Sequence, residues 1–245
     1  MDTHPQVPHL RVEDQAKRYR VTFGGETIAD SVRTKLLFEG KYHPVIYFPL
    51  ADVRQELLTP TAHTTTCPHK GVASYWSVQV GTKAKENVVW GYKTPLPGCE
   101  GIAGHVSFYW KEVDGWLEED TPLLGHARNP YSRIDTLRSS RRVTVKHRGE
   151  VIADTTRAVF LYETGLPARY YIPRADVKLD RLQPSELKTV CPYKGEASYF
   201  AAPLASGEVK EIAWYYKQPW PEVALIKDTV AFYPDRVDSI EVANK

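Results

Sequence analysis

The sequence contains the same pattern twice at a constant spacing of 124 residues. The segment TTTCPHKGVASYW around Cys67 returns as KTVCPYKGEASYF around Cys191. Without any gap, 35 of the 94 positions from Val21 to Asp114 are identical to the residue 124 positions later. A chain of 245 residues has room for two units of ordinary domain size. The sequence therefore predicts a tandem duplication, in which one unit shows how the other folds.

A polar segment, EEDTPLLGHARNPYSR, separates the two copies. Its prolines and glycine suit a connector better than a strand or a helix. We therefore predict a first domain at 1–120, including an N-terminal extension, and a second domain at 121–245. A linker is expected at 118–130.

Composition narrows the class of protein. Hydrophobic residues make up 42% and charged residues 25% of the chain, which is typical of a globular protein. The net charge of +2 and the pI of 8.3 are below the basic balance of dedicated nucleic-acid binders, so no nucleic acid is expected. Three cysteines, an odd and sparse set, indicate a reducing compartment. Since the sequence also lacks an export signal and a long apolar span, we predict a cytoplasmic protein without membrane contact.

Short runs of alternating apolar residues predict strands. The runs at 21–23 and 27–29 flank Gly24 and Gly25, as in a tight hairpin. Further strands are predicted at 35–38, 45–48, 74–80, 87–92 and 104–109, and a single helical turn at 49–53, each repeated 124 residues later. The predicted fold is all-β, with two tandem homologous small domains of the β-sandwich or split-barrel type, or of a β-tent-like type.

Alternation also predicts which side chains share a face of a strand. Val88, Trp90 and Tyr92 are expected on one face, and the second copy repeats this row. Such aromatic rows either form core or line a ligand pocket, and both interpretations remain open. The candidate ligand-binding aromatics are Tyr75, Trp90, Tyr92, Tyr199, Trp214 and Tyr216.

Several charged residues recur at the same offset in both copies, and three of them are candidate site residues. These three are Arg33, Glu39 and Lys70, mirrored by Arg157, Glu163 and Lys194. One interpretation is an ion pair that ties a strand edge to the C-P-x-K-G loop. The other is a polar floor under the aromatic row, where the arginine and lysine would bind an anionic, planar molecule. Glutamate and lysine would then be the catalytic acid–base pair.

Each copy also places a cysteine three residues before a lysine in this loop. The pairs are Cys67 with Lys70, and Cys191 with Lys194. A nearby ammonium favours the thiolate, which would make a reactive nucleophile. A catalytic cysteine also needs a base, however, and Tyr193 replaces His69 in the second copy. An inert, buried cysteine is the other interpretation.

A metal site is not expected from the pattern of histidines. His63, Cys67 and His69 lie within seven positions, but Leu187 and Tyr193 replace the two histidines in the second copy. The paired-cysteine spacing of structural zinc sites is absent. Since the sequence contains no cofactor motif either, we predict no metal and no cofactor.

Four motifs carry a resemblance to a known family. They are G-E-x-I-A-D-[ST]-x-R, Y-[FI]-P-x-A-D-V, T-x-C-P-x-K-G-x-A-S-Y and W-x-Y-K-x-P. They resemble the bacterial family DUF427, a domain of unknown function also labelled nucleotidyltransferase-like. The resemblance covers about 18–117 and 130–241, and the whole chain looks like the two-copy form common in actinobacteria.

This resemblance implies small all-β domains and brings no established reaction or catalytic residues. The transferase label has no support in the motifs. The sequence has neither a glycine-rich phosphate loop nor a pair of nearby acids spaced to hold magnesium.

Two functions are compatible with these observations. The first is a cytoplasmic small-molecule-binding protein, or a metal-independent acid–base enzyme, whose ligand is anionic or planar. The second is a non-catalytic protein-interaction module built from two duplicated β domains. A cavity lined by Trp90, Tyr92 and Lys70 would favour the first, and a solid core around them the second. The oligomeric state stays open.

Overall fold

A computed structural model describes residues 10–204 and 206–244 of the chain. The chain divides into two compact units, Met1–Asn129 and Pro130–Lys245, called here the first and the second unit. Most of the segment predicted as a linker lies with the first unit, because Leu123 and Ala127 are buried in its core. Both units are built from antiparallel strands and short 3₁₀ turns, so the all-β prediction is confirmed.

The first unit contains a larger and a smaller sheet. Its strands are Leu10–Asp14 (β1), Tyr19–Phe23 (β2), Glu26–Ser31 (β3), Lys35–Glu39 (β4), Val45–Pro49 (β5), Leu58–Cys67 (β6), Gly71–Val80 (β7), Lys83–Tyr92 (β8), His105–Phe108 (β9), Gly115–Glu118 (β10) and Thr121–Pro122 (β11). Its 3₁₀ turns are Leu50–Asp52, Gln55–Leu57 and Glu100–Ile102. The larger sheet has the order β1-β4-β5-β9-β8-β7-β6, and the smaller sheet has the order β11-β10-β2-β3.

The second unit repeats this arrangement. Its strands are Ile134–Arg138 (β12), Val143–His147 (β13), Glu150–Thr155 (β14), Val159–Glu163 (β15), Arg169–Pro173 (β16), Gln183–Cys191 (β17), Gly195–Pro203 (β18), Val209–Tyr216 (β19), Thr229–Phe232 (β20) and Ser239–Val242 (β21). Its 3₁₀ turns are Arg174–Asp176, Leu179–Arg181 and Pro221–Ile226. The orders β12-β15-β16-β20-β19-β18-β17 and β14-β13-β21 place each strand where its counterpart lies in the first unit.

Both faces of each larger sheet are buried. In the first unit, Leu36 and Phe38 of β4 pack into a core shared with the smaller sheet. Leu37, between them, points to the opposite face and joins a second cluster that contains Tyr47 and Tyr75. This second face of the larger sheet carries the aromatic row, in the first unit and again in the second.

Strands β6 and β17 are not predicted from the sequence. Each ends its larger sheet, and most of its residues are exposed. A strand exposed on both sides has no need for alternating apolar residues, so periodicity does not reveal it. Both strands also carry a bulge, between Pro60 and Thr64 and between Ser185 and Lys188.

The prediction that Val88 shares a face with Trp90 is wrong. Val88 is buried in the core shared with the smaller sheet, whereas Trp90 packs on the opposite face. The pairing of β7 with β8 shifts register at this point, and Asn87 has a φ of +55°. A bulge of this kind rotates the strand and interrupts strict alternation. The predicted helical turns after β5 and β16 are present.

Candidate functional site

The C-P-x-K-G motif forms a tight turn between two paired strands. In the second unit, β17 ends at Cys191 and β18 begins at Gly195. The N–H of Lys194 donates to the carbonyl of Cys191, and the carbonyl of Lys194 accepts from the N–H of Trp220. Gly195 has a φ of +101°, and a Cβ there would lie 3.1 Å from the carbonyl oxygen of Gln218. The turn needs glycine and holds the lysine backbone in one place.

An ion pair joins the motif lysine to a glutamate in each unit. Lys194 Nζ donates to Glu163 Oε2 at 2.6 Å, and Lys70 pairs with Glu39 in the same way. The four side chains are between 11% and 19% exposed. Two charges that are this far removed from water stabilise each other, and removal of one leaves the other without compensation.

Aromatic side chains from neighbouring strands gather on the second face of the larger sheet in the second unit. Trp214 and Tyr216 alternate along β19, and Tyr199 of β18 lies opposite Trp214. The Nε1–H of Trp214 donates to the hydroxyl of Tyr171 at 3.1 Å. The ring centres of Trp214 and Tyr233 are 4.5 Å apart. These contacts fix the rings in one arrangement.

Tyr171, Tyr216 and Tyr233 are phenols, not phenolates, at neutral pH. Burial raises the pKa of Tyr171 and of Tyr216 far above the ordinary value. Burial, followed by the neighbouring Tyr199, raises the pKa of Tyr233 to about 12. Their hydroxyl groups can therefore donate hydrogen bonds to an oxyanion.

The ion pair and the aromatic group line an open cavity of about 220 Å³, called here the second-unit cavity. Its charged lining residues are Lys194, Arg169 and Glu163, which sum to a net charge of +1. Leucine and proline side chains complete the wall. Within the part of the chain that the structure describes, Arg169 forms no ion pair, so its charge is available to a ligand.

Arg33 and Arg157 do not lie at this site, which corrects the polar floor inferred from the sequence. Arg157 Nη2 donates to Asp176 Oδ1 at 2.6 Å, and Arg33 pairs with Asp52. The guanidinium of Arg157 holds the pKa of Asp176 below its ordinary value. Both arginines are about two-thirds exposed and fasten the turn after β3 or β14 to a 3₁₀ turn. The arginine of the second-unit cavity is Arg169.

The first unit keeps the same aromatic row in different surroundings. Tyr75 and Tyr92 are buried and Trp90 is partly buried on the second face of the sheet. Val45 stands at the position of Arg169. Trp90 lines a separate cavity, from whose lining Lys70, Tyr75 and Tyr92 are absent among the described residues. The two copies therefore differ in what they offer a ligand.

The three cysteines are free thiols. Cys67 and Cys191 are partly buried against the aromatic clusters, and the neighbouring lysines are engaged by glutamates. Cys99 is buried and donates its S–H to the carbonyl of Leu96 at 3.0 Å. Burial raises the pKa of the Cys99 thiol. This arrangement favours inert cysteines over a reactive nucleophile.

His63, Cys67 and His69, which are close in sequence, do not form a group of metal ligands within the described part of the chain. His63 instead places its ring 4.5 Å from that of Tyr75. Across residues 10–204 and 206–244, no three His, Cys, Asp or Glu side chains come together as a metal site. The same ranges contain no helix with the length and apolar character needed to cross a membrane.

Among the charged and aromatic residues that line the second-unit cavity, three are not predicted from the sequence, namely Arg169, Tyr171 and Tyr233. The two tyrosines are identical to Tyr47 and Tyr109 of the first copy, so the repeat itself could have marked them. Arg169 carries no such signal, because a search for charges shared by both copies passes over a residue that only one copy has.

Comparison with protein families agrees with this architecture. The family model described as Domain of unknown function (DUF427) matches residues 11–119 and again residues 135–243. Comparison with curated proteins gives no match. The two matched ranges coincide with the two units and together cover most of the chain. The chain therefore belongs to the DUF427 family, in a tandem two-copy form.

Proposed function

We propose that the second unit binds a small planar anion in the second-unit cavity. The observation that carries the proposal is the lining, in which aromatic walls stand beside Lys194, Arg169 and a single carboxylate, Glu163. Aromatic walls favour flat ligands through ring contacts. Two cations against one anion favour a ligand with negative charge.

The cations would have different roles in binding. Lys194 is held by Glu163 at 2.6 Å, so its ammonium is positioned before a ligand arrives. Arg169 forms no ion pair among the described residues, and a guanidinium can bind a carboxylate through two parallel hydrogen bonds. We therefore assign the ligand's anionic group to Arg169 and its ring to the wall formed by Trp214 and Tyr233.

The size of the cavity limits the ligand. Its volume of about 220 Å³ is below the roughly 300–1,000 Å³ of pockets that enclose drug-sized molecules. A carboxylate on one ring or on two fused rings suits this space. A nucleotide could insert only its base, which would leave its phosphate outside.

An acid–base step without metal belongs to the same proposal. At the cavity wall, the ammonium of Lys194 donates a hydrogen bond to the carboxylate of Glu163. Such a pair can take a proton from a bound molecule and return it. The expected signature is faster exchange, in D₂O and followed by NMR, of the C–H proton next to the carbonyl group of an arylpyruvate, with loss of this acceleration in Glu163→Gln.

Calorimetric titration of the whole chain tests binding. The probes are 1-naphthoate and its neutral amide, together with a nucleoside monophosphate because the family is also labelled nucleotidyltransferase-like. We expect the carboxylate to bind at least tenfold more tightly than the amide, and added salt to weaken the carboxylate alone. Equal binding of acid and amide would contradict the anionic assignment.

Two matched variants locate the site. Arg169→Val installs the residue that the first unit has at this position and should weaken 1-naphthoate binding tenfold or more. Arg157→Met removes a cation of the same unit that pairs with Asp176 outside the cavity and should change binding less than twofold. Equal losses in both variants would mean that overall charge, and not this cavity, attracts the ligand.

The cytoplasmic location and the absence of a nucleic-acid partner stay part of the proposal. Three free thiols are consistent with a reducing compartment. If wild-type protein binds none of the probes, the second function, a protein-interaction module, becomes the better account.

A further inference from the structure

We propose that the first unit contains a second, chemically different site, which binds a neutral ring compound carrying a hydrogen-bond acceptor. The site is a cavity of about 240 Å³, called here the first-unit cavity. It lies where β5 begins, β9 ends and the connector passes at 125–127. Its walls include the rings of His43, Trp90, Tyr109, Trp110, Trp116 and His126.

The first-unit cavity lacks charged walls. Among the described residues, no Lys, Arg, Asp or Glu lines it. At the corresponding positions the second unit has Arg169 for Val45, Pro234 for Trp110 and Ile240 for Trp116. An ionic ligand would lose its hydration here without gaining a partner of opposite charge. The walls therefore favour a neutral molecule.

Ring-to-ring contacts hold these walls in place. The rings of His43 and His126 are stacked with centres 3.4 Å apart, and those of Trp110 and Trp116 are stacked at 4.3 Å. Because each stack uses one ring face of both partners, the walls offer fewer free faces to a cation. Walls that are already ordered lose little conformational entropy when a ligand binds.

An unpaired hydrogen-bond donor in the wall, the Nε1–H of Trp116, indicates that the ligand carries a hydrogen-bond acceptor. Trp116 is 3% exposed, and its Nε1 has no hydrogen-bond partner within the described part of the chain. Buried polar groups are nearly always paired, and an unpaired one is costly. A carbonyl or ring nitrogen brought in by the ligand would supply the missing acceptor. Hydrocarbon rings would not.

The test compares two ligands that differ only in the acceptor, 1-indanone and indane. Titration of the whole chain, followed by tryptophan fluorescence and calorimetry, should show one molecule of 1-indanone bound at least fivefold more tightly than indane. Trp116→Phe removes the N–H and keeps a ring, so it should abolish this preference. If the preference survives in Trp116→Phe, the assigned donor is wrong.

Val45→Arg places into the first-unit cavity the residue that the second unit has at this position. Since Arg169 occupies the equivalent position of the same kind of sheet, the variant is expected to fold. It should weaken 1-indanone binding tenfold or more. Tyr162→Ala, a partly exposed aromatic outside both cavities, serves as the control and should leave binding unchanged. Failure of wild-type protein to bind 1-indanone up to its solubility, or tighter binding of tetramethylammonium, would overturn the proposal. Neither result bears on the anion site of the second unit.

Discussion

The ammonium of Lys194 and the carboxylate of Glu163 meet at 2.6 Å, and each side chain keeps no more than 15% of its surface in contact with solvent. The lysine comes from a turn and the glutamate from the end of β15, so the pair ties together segments 31 residues apart in sequence. The same connection in the first unit joins Lys70 to Glu39.

Loss of one partner should cost more than loss of both. Lys194→Met leaves Glu163 without its cation and should lower the free energy of unfolding by about 3 kcal/mol. The double variant Lys194→Met with Glu163→Leu should recover most of that loss, because two apolar side chains replace two charges. Urea denaturation followed by tryptophan fluorescence measures both. A single variant within ~1 kcal/mol of wild type, as at ordinary surface sites, would show that the pair is solvated.

Gly195→Ala should be more destabilising than a glycine substitution in open space. Its φ of +101° disfavours any Cβ, and the new methyl group would also approach the carbonyl oxygen of Gln218. Gly165→Ala is the control, since Gly165 has a φ of +76° and a methyl group added there would meet no atom within 4 Å. We expect a loss of about 1 kcal/mol for Gly165→Ala and at least twice that for Gly195→Ala. Equal losses in urea denaturation would remove the steric argument.

Stability should decrease in mild acid through His126. Burial lowers the pKa of this imidazole below its ordinary value of 6.5. The unfolded chain therefore takes up the proton first, and the stabilisation is complete above pH 6.5 and declines as the pH falls towards the folded pKa. His126→Asn should reduce the change in melting temperature between pH 7.5 and pH 5.5. His63→Asn, at an exposed position, should leave that change as it is in wild type. An equal reduction in both variants would mean that His126 is not the source of the pH dependence.

The three cysteines should differ in how they react with a thiol reagent in native protein, with Cys67 and Cys191 accessible and Cys99 protected. Cys67 and Cys191 are partly exposed, whereas Cys99 is buried with a raised pKa. A thiol reagent reacts with the thiolate, so Cys99 should react only after unfolding. Denatured, unreduced protein should titrate three groups, and a titration of one would reveal a disulfide.

Much of the fold is predictable because the chain repeats itself. Gly71 and Gly195 have φ values of +99° and +101°, so the identical motif forms the same turn twice. Strands with one buried face follow from alternation. Strands β6 and β17 do not, because strands that are exposed on both sides show no alternation of apolar residues. The bulge at Asn87 turns Val88 to the other face of the sheet, and the apolar pattern of the sequence does not predict a bulge.

The candidate site is predictable at positions where both copies have the same residue in the same structural role. Lys194 and Glu163 are identified in this way. Arg157 lies outside the second-unit cavity, because its retained charge pairs with Asp176, which is 19 positions away in sequence. Arg169 escapes prediction because it distinguishes the copies. Identity between the two copies marks only what the units have in common, and Arg169 is a residue at which they differ.

The interrupted edge strands have a consequence for the protein in concentrated solution. A chain rich in strands risks adding its open edges to those of other molecules and growing into fibrils. Pro60 and Pro184 each remove a backbone donor from such an edge, and the neighbouring bulges put the remaining amides out of register. An approaching strand would find only a few consecutive partners on β6 or β17. Strand addition should therefore be disfavoured at the β6 edge of one larger sheet and at the β17 edge of the other.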